Sequence, residues 1–140
     1  RFAPGTFAPP GLTWGYENRT TCFRLVGHDA GSLRVENRLP GADTNPYLTA
    51  AATIAAGVAG ILEQIEPDPE TLGSGYAQTP PRDFARSMPE AIERLQGSAF
   101  AKDWLGARFV DSFTATRQSQ HDEFRRKVPD VELQRFFDLG

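Results

Sequence analysis

The sequence predicts an α+β fold, with strands in its first third and helices through the remainder. Three observations predict it. Residues 20–27 and 33–39 alternate along the chain or carry β-branched and apolar side chains, the pattern of half-buried strands. From residue 44 onward, capping residues and prolines introduce one stretch of helical composition after another. Strands come first and helices follow, without the βαβ alternation of a parallel sheet.

Residues 1–18 are rich in proline and glycine and read as loop. Residues 20–27 form the first expected strand, residues 28–32 a turn, and residues 33–39 the second strand. In the second strand Leu33, Val35, Asn37 and Leu39 face one way, and Arg34, Glu36 and Arg38 the other. A short glycine-containing turn between two such strands predicts an antiparallel hairpin. After a loop at 40–46, Thr44 or Asn45 is an N-cap with Pro46 at the first helical position. The helix that follows runs to about Ile65 and stops before Pro67. It is rich in Ala and Gly and apolar nearly all round, so it is expected to be buried. Residues 66–86 form a Pro/Gly/Asp-rich excursion. Ser87 caps a helix over 88–96. A short helix over 98–104 ends before Gly106, a longer one covers 107–126, and a last turn or two covers 130–138.

Composition narrows the function. The apolar fraction of 39% is enough for a core, and the formal net charge of −3 argues against a general nucleic-acid binder. The single cysteine, Cys22, excludes an internal disulfide, fits a reduced, cytoplasmic compartment, and sits in an apolar stretch as a buried thiol. No signal peptide or membrane span is visible; the longest apolar run, around residues 47–62, is too small-residued for one. Arg1 leads into Pro4 and Gly5 with no initiator methionine, which reads as the middle of a longer protein.

The chemistry-bearing stretch is Arg34-Val35-Glu36-Asn37-Arg38. Its three charged side chains share one strand face at a spacing of about 7 Å. One reading is a self-compensating charge stripe on a surface strand. The other brings in Arg19 and Arg24 from the neighbouring segment, so that four arginines surround one carboxylate. Guanidinium groups match phosphate and carboxylate oxygens. A carboxylate among them suits Mg²⁺, which binds few protein carboxylates plus substrate phosphates. Such a set is equipment for phosphoryl transfer. No Walker loop and no dinucleotide-binding glycine fingerprint is present. His28 is read as an exposed turn residue, His121 as part of a solvated helix face, and Trp14 and Trp104 as packing residues.

A series of motifs in register then identifies a resemblance. Arg1-Phe2-Ala3-Pro4-Gly5, Trp14, Asn18-Arg19-Thr20, Arg24, Arg34-Val35-Glu36-Asn37-Arg38-Leu39-Pro40-Gly41 and Asn45-Pro46-Tyr47-Leu48 before an Ala-rich helix resemble the C-terminal part of the catalytic domain of the glutamine synthetase family. The resemblance is strong over residues 1–65 and weaker in the helical tail. It looks most like the γ-glutamylpolyamine and γ-glutamylamine synthetase branch.

What the resemblance implies is specific. Arg1 and Arg38 would bind glutamate. Arg19 would touch both glutamate and the transferred phosphate, as a catalytic group. Arg24 and Arg34, with Arg19, would bind ATP, and Glu36 would ligate Mg²⁺ or Mn²⁺. ATP would phosphorylate the γ-carboxylate of glutamate, and an amine or ammonia would displace phosphate. The parent enzyme would be a ring-shaped homo-oligomer. Ammonia-using members carry a glutamate in the flap where this chain has Phe7. An apolar Phe7 cannot act as a base, which favours an organic amine over ammonia. The hairpin is also one residue shorter between Arg24 and Arg34 than in many ammonia-using relatives. The whole chain, residues 1–140, reads as one piece of such a domain, with loop and hairpin over 1–40 and helices over 44–140. That piece alone is expected to be inactive. A non-catalytic family member serving a structural or nitrogen-sensing role, or a plain anion-binding module, are the competing readings.

Overall fold

The computed structural model describes residue 2 and residues 6–137. Among the described residues the order of elements is α+β: three short strands followed by five α-helices. Two compact units divide the chain, residues 1–84 and residues 85–140.

In the first unit, β1 (Trp14–Tyr16), β2 (Phe23–Val26) and β3 (Arg34–Asn37) form one sheet in that order. β2 and β3 are the expected antiparallel hairpin, with Arg24 opposite Glu36 and Leu25 opposite Val35. β1 lies in the stretch expected to be loop. It pairs parallel to β2, Trp14 with Phe23 and Tyr16 with Leu25. Parallel neighbours ordinarily need a long crossover. Here residues 17–22 suffice, because a three-residue strand requires a return of only about 10 Å. A strand this short, with Gly15 at its centre, has too few alternating positions to be recognised from sequence.

The turn between β2 and β3 is wound by two polar side chains. Asp29 Oδ1 accepts hydrogen bonds from the amides of Gly31 and Ser32, both at 2.9 Å, and Ser32 Oγ accepts from the His28 amide at 3.2 Å. Gly27 enters the turn with φ of 111°, and a Cβ there would lie 2.4 Å from the Ser32 carbonyl oxygen. Glycine is therefore required.

The 66–86 excursion is stitched to the sheet. The amide of Thr71 donates to the Trp14 carbonyl at 2.9 Å, and the Trp14 indole donates to the Asp68 carbonyl. Asn18 Nδ2 donates to the carbonyls of Thr71 and Gly73, while its Oδ1 accepts from the Thr20 amide and hydroxyl. Asn18 thus fastens three segments with both ends of one amide. Thr21 and Cys22, just before β2, are fully buried, and Val26 at its end is nearly so. Burial pushes the Cys22 thiol up to about 11, so it is an inert packing group, as expected.

α1 (Pro46–Leu62) begins at Asn45, whose side chain accepts from the Tyr47 and Leu48 amides. It ends at Leu62, three residues before the expected end at Ile65. Gln64 adopts φ of 51°, the Ile65 amide bonds the Gly60 carbonyl, and the Gln64 amide bonds that of Ile61. This is a Schellman stop with glutamine where glycine is usual. Replacing Gln64 by Gly relieves the left-handed penalty and is expected to stabilise the first unit by about 1 kcal/mol. Thermal unfolding followed by circular dichroism checks it; an unchanged or lower midpoint contradicts it.

The expectation that α1 is buried all round is corrected. Of its residues Ala55 and Ala59 are buried, whereas Ile54, Ile61 and Leu62 are 65%, 78% and 70% exposed. The helix packs through a narrow alanine stripe, and Thr53 meets Asn37 of β3 at 3.1 Å. A stripe of that width covers only one side of an apolar cylinder.

The second unit is helical. α2 (Met88–Gly97) is capped by Ser87, α3 (Ala99–Leu105) by Ser98, and both pack on α4 (Ala107–Arg125). Ile92, Ala101, Val110 and Thr114 form its core. Gly106, with φ of 91°, makes the corner between α3 and α4. α5 (Asp130–Phe136) follows. Trp104 stacks on Phe100 as a packing residue. His121 is partly exposed on α4. No helix among the described residues is long and apolar enough to cross a membrane.

Candidate functional site

Strand alternation sorts the hairpin into two faces. One is apolar: Trp14, Phe23, Leu25, Val35 and Pro67 line a groove of about 320 Å³. The other carries Arg24 and Glu36, set opposite each other by register.

On that second face the charges form a chain. Arg24 Nη1 donates to Glu36 Oε2 at 2.7 Å, and Arg38 Nη1 donates to Glu36 Oε1 at 3.1 Å. Arg24 Nη2 donates to Glu17 Oε2 at 2.7 Å, and Glu17 Oε1 accepts from the Gly27 amide at 3.3 Å. The arginine side chains are the less exposed partners, at 12% and 19% against 39% for Glu36 and 37% for Glu17. The guanidinium groups therefore sit below the carboxylates, partly withdrawn from solvent.

Electrostatics follow from this geometry. Burial pushes the Glu36 carboxyl up, but the hydrogen bonds and charges of Arg38 and Arg24 outweigh it and hold its pKa below the ordinary value of 4.5. The Arg24 hydrogen bond, then that of Gly27, lowers Glu17 as well. Both carboxylates are ionised at neutral pH.

The structure brings together part of the expected set. Arg24 and Arg38 meet at Glu36. Arg34, opposite Val26, turns instead to the Ser32 carbonyl at 3.1 Å, and Arg19 is exposed in the loop after β1. Neither makes an ion pair with Glu36, so in place of the expected convergence of four arginines a pair meets the carboxylate, and Arg19 and Arg34 are exposed. The reason is register and loop geometry: Arg34 lies two residues from Glu36 along β3, about 7 Å away and opposite Val26, and Arg19 lies outside any strand. Phe7 is 84% exposed with φ of 58°. Arg1 lies outside the described residues. His28 is exposed, and its Nδ1 lies 3.0 Å from the Tyr16 hydroxyl, which also donates to the Gly27 carbonyl. Sequence reasoning missed Glu17, for nothing in a lone glutamate signals a left-handed turn.

The donor set fits an anion. Each guanidinium spends one N–H per carboxylate contact, and the remaining terminal N–H groups of Arg24 and Arg38 match phosphate or carboxylate oxygens. It also fits one metal bond. Glu36 spends two of its roughly four lone-pair sites on arginines. Among the described residues no group of three or more His, Cys, Asp or Glu is placed to hold a metal. Glu36 could thus supply a single ligand, with others from substrate oxygens or water.

Comparison with known proteins gives a family match and similar individual proteins. The family model for the glutamine synthetase catalytic domain matches residues 1–136. The γ-glutamylethanolamide synthetase GlnA4 of Streptomyces coelicolor is 41% identical over 99% of the chain, and a glutamate–isopropylamine ligase of Pseudomonas sp is 33% identical over 99%. The solved ligand-free structure of GmaS matches 95% of the chain with a TM-score of 0.78 at 26% identity. The chain spans 29%, 31% and 31% of the lengths of these proteins.

Proposed function

The chain belongs to the glutamine synthetase catalytic-domain family, and from that premise we propose that it is part of an ATP-dependent glutamate–amine ligase. The observation that carries this reading is the Arg24–Glu36–Arg38 cluster, two guanidinium groups gathered at one carboxylate on a single sheet face. In the proposed reaction a γ-carboxylate oxygen of glutamate attacks the terminal phosphorus of ATP, and ADP leaves. The amine nitrogen then attacks the acyl carbon, loses a proton, and the bond to phosphate breaks.

This chain's residues would position and neutralise charge. Arg24 and Arg34 would hold the phosphates, with Arg19 between phosphate and glutamate. Arg38, with Arg1, would clamp glutamate. Glu36 would orient Arg24 and Arg38 while offering one ligand to Mg²⁺ or Mn²⁺. Such an ion, when bound, supplies positive charge to the phosphate oxygens.

Phe7 supports an organic amine as acceptor. Its exposed ring can cover an alkyl group and exclude water, whereas it offers no charge to attract ammonium. The relatives named above for ethanolamide and isopropylamine point the same way. The test is steady-state phosphate release by the full-length enzyme with ammonia, ethanolamine, isopropylamine and putrescine. At least one organic amine is expected to exceed ammonia in kcat/KM by about tenfold, and Phe7→Glu is expected to reduce that preference. Preference for ammonia over every amine would overturn the acceptor assignment. No phosphate release with any acceptor would overturn the ligase reading.

A further inference from the structure

Glu17 has no part in the reaction described above, yet the structure holds it at three points. Its amide donates to the Leu25 carbonyl at 2.9 Å, Oε1 accepts from the Gly27 amide, and Oε2 accepts from Arg24. Its φ is 49°, a conformation that residues with a Cβ avoid and keep only where their surroundings impose it. The residue therefore ties the end of β1 to the strand and turn that carry Arg24.

We propose that Glu17 is a positioning residue for Arg24, gripping Nη2 so that the guanidinium plane cannot swing while Nη1 remains on Glu36. An isolated surface ion pair would have little consequence. Three features separate Glu17 from that case. Its partner's side chain is only 12% exposed. Arg24 is held by two carboxylates at separate nitrogens, whereas among the described residues Arg38 pairs with Glu36. The second oxygen of Glu17 is pinned to a backbone amide whose place is set by the Gly27 turn, so the carboxylate cannot follow Arg24 if it moves. With Nη1 on Glu36 and Nη2 on Glu17, each terminal nitrogen of Arg24 keeps one further N–H, in a direction that the two carboxylates fix. A guanidinium so fixed meets an anionic oxygen without first losing rotamer freedom.

This inference rests on the ligase reading, and its test separates the two. In the full-length enzyme, ATP binding is measured by equilibrium titration for wild type, Glu17→Ala, Glu17→Gln and Arg24→Ala. Steady-state KM and kcat are measured for ATP and for glutamate. Hydrogen–deuterium exchange is followed at residues 24–28. Loss of an orienting partner is expected to weaken ATP binding and raise its KM about tenfold in Glu17→Ala, with the KM for glutamate unchanged. Glu17→Gln keeps an acceptor for the Gly27 amide and loses the charge, so a rise of about threefold is expected. Faster exchange at Gly27 in Glu17→Ala would accompany it. ATP binding unchanged in both Glu17 variants while Arg24→Ala weakens it overturns the positioning role. A fall in kcat alone, with both KM values unmoved, also overturns it, since that marks lost folded enzyme. Wild-type enzyme that binds no ATP overturns the ligase reading and this inference with it.

Discussion

Glu36→Ala is expected to reduce ligase turnover of the full-length enzyme by about a thousandfold, the scale of losing a preorganised charge at a phosphoryl-transfer site. Two losses combine. The proposed metal bond disappears, and Arg38 loses its carboxylate partner while Arg24 keeps only Glu17. Glu36→Gln separates them, because an amide of the same shape still accepts one guanidinium hydrogen bond but carries no charge. It is expected to lose roughly a hundredfold. Phosphate release with ATP, glutamate and the preferred amine is the measurement. A Glu36→Gln enzyme within about threefold of wild type would remove Glu36 from the site. Stability changes little, since exposed carboxylates contribute modestly. Its sign with pH is nonetheless defined. The pKa values of Glu36 and Glu17 are lowered in the folded chain, so their contribution is present above the ordinary value of 4.5 and is lost as pH falls through the lowered values.

Gly27→Ala is the second large effect, and it acts on folding. The added Cβ would meet the Ser32 carbonyl oxygen at 2.4 Å and the Leu33 nitrogen at 2.7 Å, both backbone atoms that the Asp29 hydrogen bonds hold in place. The φ of 111° is unfavourable for alanine even without the clash. A destabilisation of about 2–4 kcal/mol is expected, the range for strain at a special backbone conformation. Urea unfolding of the same full-length enzyme would show a lower midpoint. An unchanged midpoint would mean that the turn adopts another path, and the Glu17–Gly27 contact would then have no fixed geometry to rely on.

Much of the site was legible in the residues. The period-2 pattern placed Arg34, Glu36 and Arg38 on one strand face, because side-chain direction along an extended chain is a local property. The Asn45 and Ser87 caps, the stop near Gly106 and the order of helices were legible for the same reason: capping chemistry acts within one turn. The extent of α1 burial was not, since composition counts apolar side chains without saying what covers them. β1 was not, because three residues carry too little pattern. Glu17 was not, because its approach to Arg24 depends on a backbone angle that glutamate rarely adopts.

By itself, then, the sequence determined the α+β order, the charged face of the hairpin and the motif series of the glutamine synthetase family. Only the tertiary structure decided which arginines meet Glu36. The physical reason is register. A strand's pattern tells which face a side chain takes, but its partner across the sheet depends on how the turn is wound. Here Gly27, Asp29 and Ser32 wind it so that Arg24 falls opposite Glu36, and Arg34 falls opposite Val26.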